Sequence, residues 1–156
     1  WANNRRYHHT APMSMIYGLR EALRMILEEG LDTRVARHAR NAAALCAGLE
    51  AIDLKFVVSP EYRLNQLISV YIPEGVVDTD VRRSLLYDYG IEIGGGLGEF
   101  AGKVWRFGLM GESSKEINVL ALLSALEAVL PVNGYEVGAG LAVQAASISL
   151  ANNKPL

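Results

Sequence analysis

The sequence predicts an α/β chain in which helices pack on a small, largely antiparallel sheet. Apolar residues recur at helical spacing through residues 12–51, and the pattern changes to alternation just after that stretch. Short alternating segments then follow, separated by helical patterns over residues 78–89 and 113–131. This order is typical of an α+β unit whose sheet is covered on one side by helices.

The first two helices are the most regular pattern in the chain. Pro12 suits the first turn of a helix, because its missing N–H costs nothing there. Gly30 suits a left-handed cap at the end of this helix, and Asp32 suits the N-cap of a second helix that runs to about Ala51. The apolar residues of the two helices are Ile16, Leu19, Leu23, Ile26 and Leu27, then Val35, Ala39, Ala42, Ala43 and Leu49. We expect His38 to be a partly exposed residue of the second helix and not a ligand.

The later elements follow from alternation and end signals. Residues 54–59, 66–72, 91–93 and 104–109 are predicted strands, rich in β-branched and aromatic residues. Acidic residues in the first turn and Gly90 after the last turn predict a short helix over residues 78–89. Ser113-x-x-Glu116 matches a capping box and predicts a helix that stops at Pro131.

Composition and charge exclude several classes of partner. With 156 residues and 51% hydrophobic residues, the chain can bury one sizeable core. A formal net charge of −2 with interspersed signs argues against nucleic-acid and membrane-surface partners. Residues 119–130 are too short an apolar run to span a bilayer. The single cysteine, Cys46, indicates a reducing intracellular setting, and we expect no secretory leader.

Arg106 is the main candidate binding residue. Alternation along its strand places Trp105 and Phe107 on one face and Arg106, with Val104 and Gly108, on the other. A guanidinium on such an apolar strand needs an anionic partner. From the residues alone, a bound carboxylate and an acidic side chain of the same domain are equally good partners.

Two other stretches invite functional interpretation. Residues 94–98 contain four glycines, but no helix opens after them with the spacing of a dinucleotide fingerprint. This run alone is as typical of a bulge or tight turn as of a binding loop.

His8 and His9 are adjacent, so they face opposite ways on an extended segment, and no other metal ligand lies near them in sequence. We therefore expect no metal site.

Three segments together resemble the class V aminotransferases of the alanine–glyoxylate and serine–pyruvate type, over roughly residues 3–130. They are Tyr7-His8-His9-Thr10-Ala11-Pro12, Ile91-Glu92-Ile93-Gly94-Gly95-Gly96-Leu97-Gly98 and Gly102-Lys103-Val104-Trp105-Arg106-Phe107-Gly108-Leu109-Met110-Gly111. The resemblance implies that Arg106 binds the substrate α-carboxylate and that Gly95 and Gly96 border the substrate. It also implies that the Tyr7 and Thr10 hydroxyls donate to the cofactor phosphate in the neighbouring subunit of a homodimer.

The resemblance implies pyridoxal 5'-phosphate as cofactor, with small amino acids and 2-oxo acids as substrates. An amino group would pass from alanine or serine to glyoxylate. The family's Schiff-base lysine lies in a large domain ahead of this region, in a Ser-x-x-Lys setting. The lysines here are Lys55, Lys103, Lys115 and Lys154, and none has that setting. We therefore expect no catalytic residue in this chain and no activity from it alone.

The same resemblance suggests three segments. Residues 1–51 would be the end of the large domain and connecting helices, and residues 52–131 a C-terminal small α+β domain of the pyridoxal-phosphate transferase fold. Residues 132–156 would form a tail, either disordered or, as we favour, with a short helix at about 141–150. The expected compartment is the cytoplasm. A peroxisomal location is the alternative, because the ending is loosely like a peroxisomal address.

Two other functions stay open from sequence. The chain could be a non-catalytic dimerisation or interaction domain. It could also belong to another class V activity such as a cysteine desulfurase-like lyase. Against the lyase, Cys46 lies in a helical run with no flexible loop to present a reactive thiolate.

Overall fold

The structure, a computed structural model, describes residues 9–153. It divides between Val35 and Ala36 into two compact units. The first unit contains helix α1, Met13–Glu29, and the start of helix α2, Leu31–Ala51. Gly30 alone separates the two helices.

Helix α1 is amphipathic, yet none of its residues is buried. Its end differs from the predicted left-handed cap, because Gly30 has φ 83° and ψ 135°, an extended conformation at positive φ. Since α2 begins directly after this glycine, Asp32 lies in the first turn of α2 and is not its N-cap. The exposed apolar residues of α1 are Met13, Met15, Ile16, Tyr17, Leu19, Leu23, Met25 and Leu27.

The second unit is built on a three-stranded sheet, which confirms the predicted small antiparallel architecture. The strands are β1 at Leu67–Tyr71, β2 at Gly94–Gly95 and β3 at Val104–Gly108. Their order is β1-β3-β2, and both pairings are antiparallel. Strand β3 is therefore the central strand.

The helices of the second unit build one core with the sheet. Helix α3 spans Asp78–Tyr89, α4 spans Glu116–Val132 and α5 spans Leu141–Asn152. The second part of α2 also belongs to this unit. Helices α2 to α5 and strands β1 and β3 supply most of the core, whose largest fully buried side chains include Trp105, Phe107, Leu45, Leu49, Leu85, Leu123, Leu126 and Leu130.

Two predicted strands are wrong in extent or position. Residues 54–59 form no strand, only an isolated bridge between Phe56 and Val70. The strand predicted at 91–93 begins instead at Gly94, because the Ile91 N–H donates to the Leu85 carbonyl at the end of α3. The chain therefore reaches the sheet edge only at the glycines.

The predicted capping box is also wrong. Ser113 lies in a short 3₁₀ turn, Gly111–Ser113, and helix α4 begins after Lys115 without a side-chain cap. The partners for this polar turn come from α2 instead. The Gly111 N–H donates to His38 Nε2 at 3.1 Å, and Arg37 donates to the Gly111 and Ser114 carbonyls. His38 is consequently buried, not partly exposed as predicted.

Helix α5 is attached to α4 through the Glu127 carboxylate. Glu127 Oε2 accepts from the Gly140 N–H at 2.9 Å, and Oε1 accepts from the N–H groups of Ala142 and Val143 at 2.5 and 3.4 Å. These donors lie at the start of α5, where no preceding turn can satisfy them.

The predicted division of the chain into segments 1–51, 52–131 and 132–156 stays a prediction.

We expect Glu127→Ala to lower the free energy of unfolding by about 1–2 kcal/mol, because a helix start loses both its acceptor and a favourable charge. Urea denaturation measures this change. Glu74→Ala is the matched control, since Glu74 is exposed and the structure gives its carboxylate no hydrogen bond. Equal effects of the two substitutions would contradict the capping role.

Candidate functional site

The site is built on the central strand, whose faces are fixed by burial. Trp105 and Phe107 are almost wholly buried in the core, whereas Arg106 between them is half-buried. Arg106 pairs with Ser69 on one side and Gly94 on the other. These three residues share the face opposite to Trp105, because directly paired residues lie on one side of a sheet.

The Arg106 guanidinium is held by backbone, not by an acid. Its Nε donates to the Gly95 carbonyl at 2.7 Å. Within residues 9–153 no acidic side chain pairs with it, and its two Nη groups have no hydrogen-bond partner there. The five donors of a guanidinium form a planar fork. Arg106 thus presents the paired donors that a carboxylate can accept in bidentate geometry.

The first three glycines of the run differ in their surroundings. A Cβ on Gly94 would lie 3.3 Å from Arg106 Nη2, so the guanidinium lies directly over this glycine. A Cβ on Gly95 would stand at an ordinary 3.6 Å from Arg82, and the role of Gly95 is its carbonyl. A Cβ on Gly96 would fall 1.9 Å from the Phe100 carbonyl oxygen. The structure therefore shows Gly96 in close packing within its loop.

Sequence reasoning missed two residues beside this strand, Asp78 and Arg82. Asp78 Oδ1 accepts from Arg82 Nε and from Trp105 Nε1, both at 2.9 Å, and Oδ2 accepts from Arg82 Nη2 at 3.1 Å. The carboxylate raises the pKa of Arg82. The four-residue spacing of Asp78 and Arg82 could have indicated their pairing. Nothing local in sequence indicates the bond to Trp105, which lies 27 residues away.

The predicted phosphate-binding residues belong to the other end of the chain. Tyr7 lies outside the described residues. Thr10 is an exposed residue of the first unit, whereas Arg106 belongs to the second. Their assignment to a cofactor phosphate stays a prediction.

No described lysine has the surroundings of a covalent cofactor anchor, which needs a desolvated amine. Lys55, Lys103 and Lys115 are all exposed. Lys55 donates to Asp53 at 2.5 Å, which raises its pKa, and Lys115 pairs with Glu112. Lys154 lies outside the described residues. The chain can thus supply contacts to a carboxylate, but its described lysines do not fit the role of the Schiff-base residue.

Other reactive groups in the chain give little support to different chemistry. Cys46 is a half-buried residue of α2, and burial raises the pKa of its thiol. A raised pKa disfavours the thiolate that a lyase of the desulfurase type needs. In the part of the chain that the structure describes, no three His, Cys, Asp or Glu side chains form a group that could hold a metal ion.

Comparison with solved structures identifies the fold. The chain superposes on ureidoglycine–glyoxylate aminotransferase from Bacillus subtilis with a TM-score of 0.90 at 43% identity, covering 97% of this chain and 39% of that one. It superposes on pyridoxamine–pyruvate aminotransferase from Mesorhizobium loti with a TM-score of 0.91 at 30% identity, with the same coverage. The fold is that of an aminotransferase of the pyridoxal-phosphate type.

Sequence comparison narrows this class. The chain is 44% identical to (S)-ureidoglycine–glyoxylate transaminase from Bacillus subtilis, covering 94% of this chain and 35% of the relative. It is 41% identical to alanine–glyoxylate aminotransferase from Callithrix jacchus and 36% identical to serine–glyoxylate aminotransferase from Arabidopsis thaliana, covering 81% and 95% of this chain and 31% and 37% of these relatives. No family model matches.

The chain belongs to the class V aminotransferases and corresponds to the C-terminal part of its longer relatives. It spans about a third of the length of the curated relatives it matches. The predicted family is thereby confirmed.

The loop contact of Gly96 gives a prediction that separates it from Gly95. We expect Gly96→Ala to lower the free energy of unfolding by about 1–3 kcal/mol, the usual cost of overpacking, because its Cβ meets a backbone oxygen. Gly95→Ala is the matched control, and we expect its effect to stay within about 0.5 kcal/mol. Thermal or urea unfolding of the two variants measures both. A neutral Gly96→Ala would contradict the close packing.

Proposed function

We propose that this chain is the C-terminal, carboxylate-binding part of a pyridoxal-phosphate-dependent aminotransferase that transfers an amino group from alanine or serine to glyoxylate. One observation carries the proposal. Arg106 is half-buried on the central strand, held in place by an uncharged carbonyl, and has no acidic partner within residues 9–153.

Arg106 would bind the group that every substrate of the reaction shares. Amino acid and 2-oxo acid both carry a carboxylate beside the reacting carbon, so one guanidinium can orient both. Fixing the carboxylate at two points also fixes the direction of the neighbouring bonds, and orientation of this kind contributes several kcal/mol to catalysis in general. Pyridoxal phosphate, when bound, supplies the electron sink for loss of the α-proton.

The phosphate contacts and the oligomeric state complete the proposal. Tyr7 and Thr10 would donate hydroxyl hydrogen bonds to the cofactor phosphate of the partner subunit in a homodimer. Helix α1 exposes Ile16, Leu19, Leu23 and Leu27 on one side, an apolar stripe that either the rest of the full-length chain or a second subunit would cover. We further propose that the chain alone is inactive, since the Schiff-base lysine lies elsewhere in the full-length protein.

The amino donor is the least determined part of this proposal. The three curated relatives named above share glyoxylate in their names and differ in the donor, which is ureidoglycine, alanine or serine. The 44% identity to the ureidoglycine enzyme makes ureidoglycine a second candidate donor. Steady-state rates of the full-length protein with each donor at fixed glyoxylate would rank the three.

No helix in the described range is long and apolar enough to cross a membrane. We propose small-molecule substrates with no nucleic-acid partner, and a cytoplasmic location with the peroxisome as alternative. A purely structural interaction domain is the competing function, and it predicts a full-length protein without transaminase activity.

Arg106→Lys in the full-length protein keeps the charge and loses the planar fork, so we expect it to be damaging. Loss of a charge-assisted pair in a desolvated site costs on the order of 2–5 kcal/mol, which corresponds to a fall in kcat/KM of about thirty-fold to several thousand-fold. The fall should appear for alanine and for glyoxylate alike, because both present the same carboxylate.

Arg83→Lys is the control for Arg106→Lys, since Arg83 is an exposed residue of α3 whose ion pair with Asp80 is long, at 3.7 Å. Half-reaction rates and melting temperature are measured on both variants. A destabilised Arg106→Lys protein with normal half-reactions would overturn the carboxylate-binding role.

Tyr7→Phe tests the contact between subunits. We expect the full-length variant to bind pyridoxal phosphate more weakly, because a hydroxyl donor to phosphate is lost. Mixing it with a protein that lacks the Schiff-base lysine should restore activity to a fraction of hybrid dimers, in which one site has both groups. Demonstrated subunit exchange without recovery of activity would exclude the contact in trans.

A further inference from the structure

We propose that Asp78 and Arg82 are positioning residues for Arg106, and that they act by bracing the two-glycine strand on which its guanidinium rests. This inference rests on the proposed function. Neither side chain touches Arg106 in the hydrogen bonds of the structure, and neither belongs to the stretches that carry the family resemblance.

The Arg106 guanidinium is positioned by a short edge strand that has little stability of its own. Its Nε is bonded to the Gly95 carbonyl, and its guanidinium lies over Gly94. Strand β2 consists of these two glycines alone and has only one neighbour, β3. Glycine weakens a strand, because it has the greatest backbone freedom to lose and no side chain to pack. The orientation of Arg106 is therefore only as fixed as this edge.

The ion pair of α3 lies next to this strand. A Cβ on Gly95 would lie 3.6 Å from Arg82 Nε and Cζ and 3.7 Å from Asp78 Oδ2, so the pair faces Gly95 with room for a methyl group between them and limits how far the strand can move in that direction. Gly95 is paired with Trp105, and Gly94 with Arg106, so the two glycines face opposite sides of the sheet. The strand is thus enclosed between the Arg106 guanidinium on one face and the Arg82 guanidinium on the other.

Asp78 fixes that arrangement to the core. Its Oδ1 accepts from the Nε1–H of Trp105, which is fully buried and directly precedes Arg106 in β3. The carboxylate is itself mostly buried, at 15% side-chain exposure, whereas Arg82 is 37% exposed. Asp78 also begins α3, where a negative charge is favourable. One carboxylate therefore connects the helix start, the core strand and the arginine that faces Gly95.

Removal of the Asp78–Arg82 ion pair should disorder the Arg106 guanidinium without removing it. The Gly95 carbonyl then gains freedom, and the guanidinium no longer stays in one orientation. Arg82→Met keeps most of the side-chain length and removes the ion pair. Asp78→Asn keeps an acceptor for Trp105 and removes the charge, so it guards against a variant that simply fails to fold.

The test uses the full-length protein loaded with pyridoxal phosphate and compares alanine with alaninamide, which lacks the carboxylate. The preference is the ratio of kcat/KM for alanine to kcat/KM for alaninamide. We expect this ratio to fall about ten-fold in both variants, less than the ~100-fold that a misplacement of about 1 Å can cost. The KM for glyoxylate should rise in both variants, which a loss of stability alone would not cause, and the melting temperature should fall modestly because each variant breaks a partly buried ion pair at the start of α3. Asp80→Asn and Arg83→Met are matched controls, because this exposed pair lies on the same helix.

A second readout does not depend on activity. In a crystal structure of Arg82→Met, we expect the distance from Arg106 Nε to the Gly95 carbonyl to exceed the usual limit of about 3.2 Å, or the guanidinium to occupy two orientations. An unchanged contact together with unchanged alanine preference in both variants would overturn the brace, while a damaged Arg106→Lys would keep the proposed function intact. If Arg106→Lys also kept its preference for alanine, the proposed function itself would fail.

Discussion

The burial of Trp105 and Phe107 determines where everything else in the second unit can lie. Strand β3 is central, so its core face must meet the helices, and alternation then sends Arg106 to the opposite face. Two fully buried aromatic side chains contribute several kcal/mol each by area, which makes a one-residue register slip very unfavourable. Core packing therefore fixes the face of the sheet on which Arg106 lies, and the Gly95 carbonyl then orients its guanidinium.

Sequence patterns predicted the elements that rest on side-chain periodicity. Helix α3 occupies the predicted residues 78–89, and in β3 Trp105 and Phe107 are buried while Arg106 is half-buried, although Val104 on the Arg106 face is buried as well. The misplaced elements depend on backbone hydrogen bonds between distant residues. Strand β2 falls on Gly94 and Gly95, which no propensity scale favours, because only their carbonyls and N–H groups meet β3.

The site shows the same division between local and distant information. The position of Arg106 on β3 was predictable from alternation, because a charged residue stands out on an apolar strand, whereas its role as a carboxylate-binding residue stays a prediction. The bond between Asp78 and Trp105 was not, since neither residue is unusual where it stands in sequence. His38 gives a parallel case, because the 3₁₀ turn at Gly111 that uses its Nε2 lies 73 residues away.

The neutral anchor of Arg106 has a consequence for how a ligand arrives. A carboxylate in the place of the Gly95 carbonyl would also hold the Nε–H, but it would cancel most of the positive potential in front of the fork. A carbonyl fixes the side chain and leaves the unit charge uncompensated at short range. If Arg106 binds a carboxylate as proposed, the ligand would be drawn in by long-range attraction, and its association rate should fall as ionic strength rises.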